Sequence, residues 1–125
     1  MAEINLYKAL TRKVFEAMNS RDFSDFENIL TENAAFDFPG AKKADGKRRV
    51  VIMLNALLRK FPKLEFSVSE IIVEDNKACA VWTNEGENTN GEPYANSGVT
   101  ILHFEDEKIC FISDYFKDTS FTQSA

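Results

Sequence analysis

An aspartate inside an apolar strand is the first residue to stand out. Asp114 sits in Cys110-Phe111-Ile112-Ser113-Asp114-Tyr115-Phe116, although Asp is depleted in strands. In extended backbone its face-mates are Ile112 and Phe116. A carboxylate among such neighbours is costly to bury unless it finds a partner, a water-filled cavity or a proton. Desolvation raises its pKa, and a carboxyl tuned toward neutral pH is what proton transfer requires. Asp114 is therefore a candidate catalytic acid/base, with a structural hydrogen bond as the alternative. Glu85 and Glu87 share a strand face with Thr83, leaving Trp82 and Asn84 on the other. If the glutamates point inward, they bring like charge toward Asp114, and Trp82 belongs outside. Glu85 is then a second catalytic candidate and Glu87 a ligand contact. Solvated glutamates near a strand end are the alternative.

Other reactive side chains are few. The single histidine, His103, lies between Leu102 and Phe104 and shares a strand face with Val99 and Ile101. Cys79 and Cys110 are both mid-strand in apolar surroundings, where Cys is an inert small hydrophobe. One histidine and no CxxC exclude a structural zinc site, so no metal is expected. GxGxxG, Walker A and nucleophile-elbow patterns are all absent, and no cofactor is expected. The basic run from Lys42 to Arg49 either holds an anion at a helix start or is a solvated loop.

These residues need a scaffold. Glu3 to Asn19 carries Ile4, Tyr7, Leu10, Val14 and Met18 on one helical stripe, with Lys8, Arg12 and Glu16 opposite. Asn19-Ser20-Arg21-Asp22 reads as a turn. Phe23, Phe26, Ile29 and Leu30 have the spacing of a short second helix. Ala34 to Phe38 is a short strand closed by Pro39-Gly40. Asp45 has the chemistry of an N-cap for a third helix over 46–61, which Pro62 ends. The period then becomes two. Strands are predicted at Leu64–Val73, Ala78–Glu87, Tyr94–Phe104 and Lys108–Phe116, with Asn90-Gly91 as a hairpin signal. Three helices followed by a long antiparallel meander make an α+β fold.

Composition sets outer bounds. The 125 residues are 44% hydrophobic and 28% charged, too apolar for disorder. One domain over 1–125 is expected, long enough for a core with a pocket in it. A net charge of -5 argues against a nucleic-acid partner. The longest apolar run, Val50 to Leu54, is far short of the ~20 residues that span a bilayer. Met1-Ala2-Glu3 opens without a basic n-region or apolar h-region. Two cysteines make no disulfide scaffold, so a cytoplasmic location is expected. Eleven phenylalanines accompany three tyrosines and one tryptophan. That much Phe either fills an aromatic core or lines an apolar cavity.

Three segments carry a resemblance. They are Ala17-Met18-Asn19-Ser20-Arg21-Asp22-Phe23, then Ala34-Ala35-Phe36-Asp37-Phe38-Pro39-Gly40, and above all Lys108-Ile109 followed by Asp114-Tyr115-Phe116-Lys117-Asp118. Over about residues 4–118 the chain resembles the NTF2-like superfamily, in its SnoaL-like branch. The resemblance implies a cystatin-like cone: three N-terminal helices on a strongly curved, mainly antiparallel sheet, with a deep pocket and a homodimer through the outer sheet face. It also implies which activities lack their residues. The positions that match the tyrosine, aspartate base and second acid of ketosteroid isomerase look like Val14, Phe38 and Leu102. For limonene epoxide hydrolase the second acid is retained as Asp114. Its arginine and first acid align with Glu85 and Glu87, and its tyrosine and asparagine with Phe36 and Phe38. Polyketide cyclases of the branch use one aspartate on a carbon acid, a role open to Asp114.

Two functions remain in view. One is an acid/base enzyme (isomerase, cyclase, dehydratase or hydrolase) acting on a small apolar molecule through Asp114. The other is a non-catalytic ligand-binding or dimerisation module. In both, a pocket formed by Val14, Met18, Phe36, Phe38, Leu54, Leu102, Ile112 and Phe116 is expected around Asp114. The homodimer would use the face of Val99, Ile101 and His103, which is too apolar to leave in water.

Overall fold

The computed structural model describes residues 2–120. Helix α1 runs Ala2–Ser20 and buries Leu10, Val14, Phe15 and Met18, the predicted stripe. Its C-terminal end is fixed by side chains. Asn19 grips the edge of the sheet, with Nδ2 donating to the Phe66 carbonyl at 3.0 Å and Oδ1 accepting from the Phe66 amide at 2.7 Å. Arg21, at φ 66°, donates from Nη2 to the carbonyls of Phe61 at 3.0 Å and Leu64 at 2.9 Å. The turn read from Asn19-Ser20-Arg21-Asp22 is thus a fastening between α1 and the start of the third strand.

The expected second helix is a single 3₁₀ turn, Phe26–Ile29. Two α-helices are present among the described residues, not three. The apolar spacing over Phe23 to Leu30 covers barely two turns. Leu30 is already extended and opens strand β1, Leu30–Asp37. A two-residue strand, β2 at Ala44–Asp45, pairs with β1 in the run expected to be loop or anion site. Asp45 is therefore not the cap of the next helix. Gly46 occupies that place at φ 100° with no side-chain cap. Helix α2, Lys47–Arg59, turns Val50, Leu54 and Leu58 inward.

The meander follows as predicted: β3 at Glu65–Glu74, β4 at Lys77–Glu87, β5 at Pro93–Glu105 and β6 at Lys108–Phe116. The six strands form one curved sheet in the order β2-β1-β6-β5-β4-β3. All ladders are antiparallel except β1 with β6, which sets Phe36 beside Ile112. The concave face carries Ala78, Ala80 and Trp82 from β4, and Thr100, Leu102 and Phe104 from β5, all buried. Small Ala78 and Ala80 let α1 approach closely, and both helices close over this face. The convex face carries Val81, Val99, Ile101 and Tyr115 with no helix over them. No helix among the described residues is long and apolar enough to cross a membrane.

Candidate functional site

Asp114 lies on the concave face of β6, directly opposite Thr100 of β5. Trp82 of β4 reaches toward the same point. Its indole Nε1 donates to Thr100 Oγ1 at 2.9 Å, and Thr100 Oγ1 donates to Asp114 Oδ1 at 2.7 Å. With Asp114 ionised, the direction of this chain is forced. An indole N–H can only donate, so the Thr100 oxygen accepts from it and its one hydrogen goes to Asp114. For the ionised carboxylate Oδ1 is therefore an acceptor, and Oδ2 is the oxygen left free to take up a proton. Among the described residues the carboxylate takes no further hydrogen bond or ion pair. Burial raises its pKa from 3.8 to about 6, partly offset by the Thr100 hydrogen bond.

Around Asp114 the sheet and helices leave a cavity of about 60 Å³. At about 10–15 Å³ of such room per water, it holds a few waters or a small molecule. Its wall is aromatic. Phe38 lies 5.3 Å from Phe116 and 5.9 Å from Phe36, measured between ring centres. Phe66 lies 5.2 Å from Trp82, and Phe61 4.4 Å from Tyr94. Helices supply Met18, Leu54, Leu57 and Leu58. Much of the phenylalanine excess thus narrows the cone. The polar groups on the wall are Asp114, Asn84, Asn96 and the Tyr94 hydroxyl. Among the described residues no lysine, arginine or histidine lines it.

Six of the residues expected at the pocket meet there: Met18, Phe36, Phe38, Leu54, Asp114 and Phe116. Val14, Leu102 and Ile112 do not line it. They are at most 2% exposed and belong to the packed core beneath. Glu85 and Glu87 are not brought to Asp114 either. The face assignment of β4 is the reverse of the expected one: Trp82 and Asn84 point inward, at 3% and 7% exposure. Glu85 is therefore on the convex side, in an open surface depression, and Glu87 stands 3.6 Å from Lys63. The physical reason is simple. A large indole and two alanines bury well against a helix, whereas a row of Thr83, Glu85 and Glu87 would bury unpaired charge.

Sequence reasoning missed Thr100, Trp82, Asn84, Tyr94 and Asn96 as wall or relay residues. Only one signal for them was present, the alternation of Ala78, Ala80, Trp82 and Asn84 as the set with no charge. The pairing of Thr100 with Asp114 depends on ladder register, which one strand alone does not specify. Among the described residues no three His, Cys, Asp or Glu side chains cluster as metal ligands.

The order of elements and the curved sheet agree with a family match over residues 11–112 to the SnoaL-like domain. The chain belongs to the SnoaL-like family. SnoaL-like domains are small-molecule-binding domains of NTF2-like fold. No curated protein sequence matches this one. An NTF2-like protein from Anabaena variabilis superposes with a TM-score of 0.81 at 19% identity, over 92% of this chain and 89% of that one. A candidate SnoaL-like polyketide cyclase from Jannaschia sp. CCS1 gives 0.82 at 14%, over 90% and 86%. A candidate isomerase from Bacillus subtilis gives 0.80 at 23%, over 94% and 90%. At these identities the likeness is one of fold. The SnoaL-like match fixes the architecture, and the chemistry must be argued from the cavity.

Proposed function

We propose that this SnoaL-like domain moves a proton on a small, largely apolar molecule, with Asp114 Oδ2 as the acid/base. The observation that carries the reading is a carboxyl with a pKa of about 6 on the wall of an apolar cavity, held through one oxygen only. Above that pH Oδ2 accepts a proton from a carbon acid, and the same oxygen returns it at another position. Thr100 and Trp82 hold Oδ1 so that the carboxyl does not rotate. Among the described residues the wall offers neither a second carboxylate nor a cation to activate water. A 1,3-proton shift or an intramolecular cyclisation therefore fits better than hydrolysis. Glu85, on the convex side, is not assigned a role.

A binding module without turnover is the second reading, favoured by the small volume and the aromatic packing. The two part on a proton-exchange assay. Butan-2-one and cyclopentanone are followed by NMR in D2O, with wild type and Asp114→Asn. Catalysed loss of α-protons that rises through pH 6 and disappears in Asp114→Asn supports the enzyme. Exchange at the background rate with wild type leaves the binding module.

The domain is further proposed to work as a homodimer joined through the convex sheet face.

A further inference from the structure

The cavity wall contains a buried amide oxygen that no described residue satisfies. Asn84 is 7% exposed, and its Oδ1 is buried with no hydrogen-bond partner among the described residues. A buried amide oxygen without a donor is rare, because it has given up water for nothing. Its neighbours on the ladder offer no remedy. Phe66 across β3 has no donor on its side chain. Asn96 across β5 is already engaged: Nδ2 donates to the Tyr94 hydroxyl at 2.8 Å and the Asp118 carbonyl at 2.9 Å. Asn96 Oδ1 accepts from the Ser97 and Asp118 amides at 2.9 and 3.1 Å. One wall amide is saturated and the other is empty, and the empty one faces the cavity.

We infer that Asn84 selects the ligand, its Oδ1 accepting a hydrogen bond from a hydroxyl on a small neutral molecule. This rests on the proposed function and specifies the substrate class of the same site. Asn84 and Asp114 do not touch one group. Their ladder partners, Asn96 and Thr100, are four residues apart on β5, and β4 and β6 are two strand spacings apart. On a flat sheet that is about 13 Å along and about 10 Å across, shortened by the curvature. The hydroxyl therefore belongs to the end of the ligand remote from the proton that Asp114 moves. The body between them is apolar, since Trp82 and Phe116 stand 6.4 Å apart between these positions. A carboxylate is the poorer partner: it brings no donor to Oδ1, and among the described residues the wall has no cation to offset its charge.

The test compares two probes of equal size that differ in the donor, butan-2-ol and butan-2-one. Both are titrated at pH 8 and followed by the side-chain amide and backbone NMR signals. Wild type should bind the alcohol about tenfold more tightly than the ketone. Asn84→Leu should lose more than half of that preference, and Asp114→Asn should keep it. Asn84→Ala is read the same way if the leucine variant does not fold. Equal binding of the two probes by wild type, no detectable binding of the alcohol, or a preference retained in the Asn84 variant would overturn the assignment. Failure of the acid/base reading is distinguishable. It shows as unchanged proton exchange in Asp114→Asn and leaves the alcohol-to-ketone ratio where it was.

Discussion

At the scale of single residues, the chemistry converges on one carboxyl that its neighbours hold through a single oxygen. Folding raises the Asp114 pKa from 3.8 to about 6. Between about pH 4 and 6 the folded chain therefore holds more protons at this site than the unfolded chain. Stability contributed by Asp114 falls as pH rises through that window, and the loss is complete above it. The gap corresponds to about 3 kcal/mol as an upper figure. Asp114→Asn should accordingly be more stable than wild type at pH 8, by up to about that amount, and nearly equal to it at pH 4. Urea unfolding at both pH values checks this, and a difference independent of pH would remove the raised pKa. Thr100→Val makes a second, opposite test. The hydroxyl hydrogen bond favours the ionised carboxylate, so its loss should carry the Asp114 midpoint above about 6 in an NMR titration. Asp114 was visible in the sequence because an acid between Ile112 and Phe116 contradicts its own strand. The glutamates misled for an equally physical reason. Alternation divides β4 into two faces without saying which is inside, and that choice depends on α1 packing over Ala78 and Ala80.

At the scale of elements, long periodic segments were legible and short ones were not. The first helix and the four meander strands have enough repeats for their period to declare itself. Phe23 to Leu30 has too few, and there a 3₁₀ turn wins over a helix because Leu30 is claimed by the parallel ladder with β6, opposite Ile109. The junction of α1 with β3 was legible only as a turn, since its bonds reach residues 40 and more positions away. That junction holds Phe61 and Leu64 over the cavity. Arg21 spans the Met18, Phe61, Pro62 and Leu64 carbonyls, a fork that a lysine point charge cannot reproduce. Gly86 completes the contact, because a Cβ there would lie 2.7 Å from Leu64 Cα and Lys63 O. Arg21→Ala should cost about 2 kcal/mol, lowering Tm by several degrees. Arg21→Lys should recover little of it. Full recovery by lysine would mean that the charge, not the fork, matters at this junction.

At the scale of the whole molecule, the curved sheet has two apolar faces and the helices cover one. Across the convex face Val81, Val99 and Tyr115 stand in register on β4, β5 and β6, with Cys79 and Ile101 in the next row. Tyr115 and Ile72 are 59% and 52% exposed. His103 on the same face is not an obstacle to burial. Desolvation, with Lys77 beside it, lowers its pKa from 6.5, which favours the neutral ring. A row of β-branched and aromatic side chains on three adjacent strands is an apolar patch of the kind that marks an association surface. A second copy is a fitting cover, since a two-fold axis makes one such patch complementary to itself. Light scattering at micromolar concentration should therefore give twice the chain mass of 14.2 kDa. Val99→Lys with Ile101→Lys places two charges in the middle of the patch and should give the single-chain mass. Its far-ultraviolet circular dichroism should be unchanged, because neither side chain contributes to the core under the helices. Wild type running as a monomer would sink the homodimer. A double variant that stays dimeric would move the interface to another face of the cone.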